Sequence, residues 1–132
     1  MPALVWLPLV AKNHRADTYE PNDERWQAYW PLVSGATYRS YVWSPDDDDW
    51  YYIEVSTLDT IAIDLNVPSV ADYDLYLYDS SGTNFVAKSD SWGNGVDEHI
   101  EYQPDRTGRY YIRVYPYQGY SNSEPYSLLS VH

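Results

Sequence analysis

The chain contains no cysteine, which excludes a disulfide framework and any thiolate metal site and leaves packing, or a bound ion, to supply stability. Basic residues are few: eight Lys and Arg stand against twenty Asp and Glu, for a formal net charge of -12. Nucleic acids and anionic lipid surfaces are bound through clustered cations, and the cations here are scattered, so both are excluded as partners. The apolar stretch at residues 3–10, Ala-Leu-Val-Trp-Leu-Pro-Leu-Val, is far short of the ~20 residues a membrane span needs. No Lys or Arg precedes it and no clean small-residue cleavage site follows, so it also makes a poor signal peptide. Phenylalanine is nearly missing, with one Phe against 16 Tyr and 6 Trp. A dry core would take Phe equally well, so the preference for polar-tipped rings points to half-exposed aromatics. These fit a binding surface or the outer faces of a β-sandwich, and both readings stand.

What is present is enough for one domain: 132 residues, 44% of them hydrophobic. Its organising stretch is Asp46-Asp47-Asp48-Asp49 running directly into Trp50-Tyr51-Tyr52-Ile53-Glu54-Val55. Adjacent carboxylates repel, by roughly 4 kcal/mol for a pair about 4 Å apart at a protein surface. A cation or full hydration must offset that. Trp50, Tyr52 and Glu54 are expected on one strand face and Tyr51, Ile53 and Val55 on the other. Upstream, residues 11–24 read as a polar linker ending in a turn, and residues 25–30 as one short helical turn before Pro31. Beyond it the pattern predicts strands at 37–43, 50–55, 61–67, 73–78, 84–88, 98–103, 109–117 and 126–131, joined by Gly, Asp, Ser and Asn turns. Leu75 and Leu77 point inward, as do Tyr110, Ile112 and Val114. The fold class is therefore all-β, an antiparallel sandwich of about eight strands. Residues 18–132 form the domain and residues 1–17 an apolar strand and linker.

The candidate metal ligands are oxygens: Glu20, Asn22, Asp23, Asp46 and Asp49, with neighbouring carbonyls. Calcium takes six to eight oxygens from flexible turns and suits two acidic loops brought together, whereas His14, His99 and His132 are too dispersed for zinc. Catalytic signatures are missing: there is no Gly-x-Ser-x-Gly elbow, no His-Glu-x-x-His helix and no phosphate-cradling Gly loop. Carboxylates for glycoside hydrolysis are available in kind, but a sandwich of this size has little room for a deep cleft. The chain is expected not to be an enzyme. A binding ledge is expected on the outer face of residues 109–117, where Tyr111, Tyr115 and Tyr117 form an aromatic stripe with Arg113 between them. It suits sugar rings or a Pro-rich, collagen-like rod; ordinary cross-strand packing is the other reading.

Four pieces in order resemble one family: Glu20-Pro21-Asn22-Asp23, then Asp46-x-x-Asp49-Trp50-Tyr51, then Asp74-Leu75-Tyr76-Leu77-Tyr78-Asp79-Ser80-Ser81-Gly82, and Gly108-Arg109-Tyr110-Tyr111-Ile112-Arg113-Val114-Tyr115. Together they look like the bacterial pre-peptidase C-terminal domain, whose relatives include the collagen-binding domains of clostridial collagenases. The resemblance implies a jelly-roll-like sandwich appended to secreted proteins, often proteases, and not itself catalytic. It implies calcium between the linker and the acidic turn, held by Glu20, Asn22, Asp23, Asp46 and Asp49, with the Tyr51 carbonyl as a further ligand. Thr18 stands where those relatives carry another acid. It also implies collagen binding through positions matching Tyr115 and Tyr117, although Arg113 replaces an apolar residue there and Pro116 interrupts the ladder.

The expected function is a secreted, calcium-supported module that binds or spaces at an extracellular polymer or protein surface. A structural alternative rests on Leu4, Val5, Trp6, Leu7, Leu9 and Val10. That apolar strand could add to the sheet edge of a neighbouring copy, and a head-to-tail contact of this kind propagates into an extracellular filament of identical subunits. Packing on its own domain, or being a remnant of a longer parent, are the other readings of the segment.

Overall fold

Alternation of core and surface side chains decides most of the strands. The computed structural model describes Tyr19, residues 21–81 and residues 83–132. Nine strands lie among the described residues: β1 (Tyr29–Pro31), β2 (Thr37–Ser40), β3 (Asp49–Val55), β4 (Ile61–Asn66), β5 (Asp72–Tyr78), β6 (Phe85–Ser89), β7 (Glu98–Tyr102), β8 (Gly108–Gln118) and β9 (Tyr126–Val131). They form a four-stranded sheet in the order β2-β9-β4-β7 and a five-stranded sheet in the order β1-β3-β8-β5-β6. The all-β sandwich expected from the sequence is the fold. The N-terminal segment with Leu4, Val5, Trp6, Leu7, Leu9 and Val10 lies outside the described residues, as do Thr18 and Glu20.

The long strand β8 is central to the five-stranded sheet, paired antiparallel with β3 from Asp49↔Val114 to Val55↔Gly108 and with β5 from Asp72↔Gln118 to Tyr78↔Tyr111. Its inward residues Tyr110, Ile112 and Val114 meet Tyr51, Ile53, Leu75 and Leu77 in one core with Ile61, Ile63, Leu65 and Leu128 of the other sheet. Burying a side chain of this size contributes roughly 1.5–3 kcal/mol. Residues with few alternating neighbours depart from expectation. Only Arg25–Gln27 form a 3-10 turn, and Tyr29–Pro31 pair parallel with β3 at the sheet edge, where Pro31, which cannot donate within a central ladder, is tolerated. The strand expected at 37–43 ends at Ser40, where the chain turns toward the acidic run.

Polar-tipped rings also fill the core, since Tyr51 and Tyr110, on the faces of Ile53 and Ile112, and with them Tyr73 and Tyr126, are fully buried. They are tolerated because each hydroxyl has a partner. Tyr73 accepts the Ser121 backbone N–H at 3.0 Å, Tyr110 donates to the Arg106 carbonyl at 2.8 Å, and the Tyr51 and Tyr126 hydroxyls lie 2.5 Å apart. Tyr19 brings the entering chain onto this core, its ring edge-on to Tyr29 at 4.6 Å and to Tyr51 at 6.0 Å. After β8 the chain turns at Gly119, where φ is +71 and a Cβ would stand 2.9 Å from the Val70 carbonyl oxygen. Only glycine fits that approach.

Candidate metal centre

The acidic run is sorted by the two-residue period of the strand it enters. Asp47 and Asp49 share the parity of Tyr51, Ile53 and Val55 and are carried inward, both 0% exposed. Asp46 and Asp48 fall on the opposite side. Asp46 is exposed, and Asp48 reaches the outer face of β8, where Arg113 donates to its Oδ2 from Nη2 at 2.5 Å and from Nε at 3.0 Å. The offset that four consecutive carboxylates demand thus comes partly from a fixed guanidinium. Burial pushes the Asp48 carboxyl up, Arg113 opposes this, and Asp23 and Glu24 add to it.

The inward pair meets the incoming segment. The buried Asn22 accepts the Trp50 N–H on its carbonyl at 2.7 Å, which registers the linker against the first residues of β3. Asp23 is thereby brought to Asp47 and Asp49, and one carboxylate oxygen from each lies within 4.8 Å of the others. Asp47 Oδ2 also accepts the Trp43 backbone N–H at 2.8 Å and closes the turn. Asp49 Oδ2 accepts the Tyr126 hydroxyl at 2.5 Å. Burial, and then the Asp49 charge, push the Tyr126 phenol well up, so it remains a donor.

Of the sequence-derived metal residues, Asp23 and Asp49 come together, and Asn22 is tied to the same junction by its carbonyl bond to Trp50. Asp46 stays outside the cluster, Tyr51 contributes its hydroxyl to the neighbouring Tyr126 network, and Glu20 lies outside the described residues. Asp47 is the member that sequence reasoning missed. Its signal was there, for extending the period of Tyr51, Ile53 and Val55 backward reaches Asp49 and Asp47 and skips Asp46. The donor set fits calcium: three carboxylates from two turns, all hard oxygens, with no His among them.

On the outer face of β8, Tyr111, Arg113 and Tyr115 are half-buried and Tyr117 is 52% exposed. They do line one strand, yet internal contacts engage three of them. Arg25 lies over the Tyr111 ring at 5.2 Å, and Arg113 lies over Tyr115 at 4.8 Å and Trp50 at 5.4 Å. Tyr117 instead borders a recess shared with Asp72, Asp74, Asp90 and Trp92.

Comparison with known proteins agrees with this architecture. The pre-peptidase C-terminal domain of a collagenase from Bacillus anthracis superposes with a TM-score of 0.59 at 22% identity, over 76% of this chain and 91% of that one. That likeness is of fold. A sequence model described as the bacterial pre-peptidase C-terminal domain matches residues 47–116, from the inward Asp47 to the far end of β8. Because that span is more than half of the 132 residues, the chain belongs to the bacterial pre-peptidase C-terminal domain family.

Proposed function

We propose that this chain is a non-catalytic, secreted module that docks or spaces its parent protein at an extracellular polymer or protein surface, with calcium bracing the junction where the chain enters the sandwich. The observation that carries the reading is the convergence of Asp23, Asp47 and Asp49 beside the Asn22–Trp50 hydrogen bond. Asp23 comes from the linker and the other two from the acidic turn, so an ion there ties the linker to the sheet and fixes the direction in which the preceding segment leaves. Three clustered carboxylates repel one another when bare, and a divalent cation converts that repulsion into attraction. The docking surface is the ledge of Tyr111, Arg113, Tyr115 and Tyr117, of which Tyr117 offers the most free ring. Membership in a family that includes a collagenase's domain is consistent with a polymer as target.

The metal half is tested by thermal melting in chelator and in calcium. At ten times its Kd the ion adds about 1.4 kcal/mol, or roughly 5 °C for a chain of this size. Asp47→Asn/Asp49→Asn is expected to abolish the rise, and a wild-type melt indifferent to calcium rejects the metal. The docking half is tested by retention on insoluble polysaccharide and on collagen. Tyr115→Ala/Tyr117→Ala is expected to elute where wild type is held, and equal retention of both removes the ledge from the reading.

A further inference from the structure

A second acidic group lies away from the linker, built from β5, β7 and the loop between β6 and β7. Asp72, Asp74 and Glu98 are 2%, 5% and 1% exposed. One carboxylate oxygen from each lies within 4.8 Å of the others. Asp72 and Asp74 alternate with the core residues Tyr73 and Leu75, while Glu98 opens β7 in the other sheet. Acids buried this deeply are rare unless something positive, or a proton, accompanies them.

The hydrogen bonds divide each of two carboxylates into a held oxygen and an unheld one. Asp72 accepts the Gly93 backbone N–H on Oδ2 at 3.1 Å, and Glu98 accepts Ser89 Oγ at 2.5 Å and the Ser91 backbone N–H at 3.0 Å, both on Oε1. Their other oxygens, Asp72 Oδ1 and Glu98 Oε2, are buried and have no hydrogen-bond partner among the described residues. Fixing one oxygen so that the other is presented is how outer-shell groups orient metal ligands. We infer that Asp72, Asp74 and Glu98 form a second calcium site, distinct from the Asp23, Asp47 and Asp49 cluster and linking the two sheets through the ion. The donors are again oxygens only, the preference of a hard cation. Asp72 and Asp74 also line a recess of about 150 Å³ with Asp90, Trp92 and Tyr117, which supplies an entry path and room for the waters that complete calcium's coordination. Burial, then Asp72, Glu98 and Asp90, push the Asp74 carboxyl up to about 7, and Lys88 opposes them.

The test is calcium stoichiometry by equilibrium dialysis at neutral pH on the full chain, which does not depend on the first cluster being a site. Wild type is compared with Asp72→Asn/Glu98→Gln, with Asp74→Asn alone, and with Asp47→Asn/Asp49→Asn, all checked for folding by circular dichroism. Asp72→Asn/Glu98→Gln is expected to bind one calcium fewer than wild type, and adding these substitutions to Asp47→Asn/Asp49→Asn is expected to remove one more. Asp74 borders the recess, so Asp74→Asn serves if the double variant does not fold; its second-site affinity is expected to fall at least tenfold. A further readout is terbium luminescence excited through Trp92, which is expected to drop in Trp92→Phe and in Asp74→Asn alike. Folded variants that bind as many calcium ions as wild type, with unchanged affinity, would overturn the assignment and leave the acids held by protons or water.

Discussion

Arg113→Met is expected to lower stability by about 2–3 kcal/mol, and Arg113→Met combined with Asp48→Asn to recover most of it. The Arg113 and Asp48 side chains are 27% and 19% exposed, so the pair is neither a surface contact of negligible worth nor a dry one. Both guanidinium bonds to Asp48 go to one carboxylate oxygen, a third reaches the Tyr78 hydroxyl at 3.4 Å, and the cation also lies over Trp50 and Tyr115. Truncation removes the partner of a half-buried charge and leaves Asp48 beside Asp23 and Glu24, which already raise its carboxyl. Removing the charge at both ends takes away the uncompensated group, and methionine keeps most of the stem that covers Trp50. Arg113→Lys is expected to fall between, since lysine keeps the charge but not the flat fork. Urea titrations of wild type, Arg113→Met, Asp48→Asn and the double variant give the coupling energy directly. Additive losses in the double variant would mean that Arg113 acts only as hydrophobic cover.

That pair also marks where the sequence was legible and where it was not. Strands β4, β8 and β9 could be read from their pattern because a half-buried strand turns every second side chain outward, and β3 and β5, buried on most positions, from their runs of aromatic and aliphatic residues. Tyr29–Pro31 could not, since three residues show no period and the ladder they join is parallel. The acidic run was visible as a charge problem, but its solution lay across the sheet: Trp50↔Arg113 is a register that no local pattern encodes. Arg113 was therefore read only as a donor in the binding ledge, and its pairing with Asp48 was not foreseen. The first cluster was largely visible, because Asp23 and Asp49 sit in recognisable motifs, and Asp47 was missed only because the strand period was not carried into the turn. The second cluster had weaker signals. Asp72 and Asp74 share a strand face, but Glu98 comes to them from the other sheet, held by Ser89 and Ser91, a placement set by tertiary folding alone.

The other large effect is expected from a single oxygen. Tyr126→Phe should cost about 3 kcal/mol although it leaves the ring in place. The Tyr126 hydroxyl donates to Asp49 Oδ2 and lies 2.5 Å from the Tyr51 hydroxyl, in a region where all three residues are 0% exposed. Tyr126 stands on β9 and the other two on β3, so this chain of hydrogen bonds joins the two sheets across the core. A hydrogen bond to a buried charge is worth roughly 1.5–3 kcal/mol, and its loss adds the cost of a carboxylate desolvated without that donor. Packing is nearly unchanged, as phenylalanine fills the same space against Tyr73, whose ring meets that of Tyr126 edge-on at 6.1 Å. The measurement is a urea midpoint with an unaltered slope, which reports stability alone. A deficit under about 1 kcal/mol would show that the hydroxyl is easily replaced. Measured again in excess calcium, the deficit is expected to narrow, because an ion at Asp23, Asp47 and Asp49 takes over the compensation of the Asp49 charge that Tyr126 otherwise provides. A deficit identical in chelator and in calcium would separate the tyrosine network from the metal centre, and would place the two ends of Asp49 in independent roles.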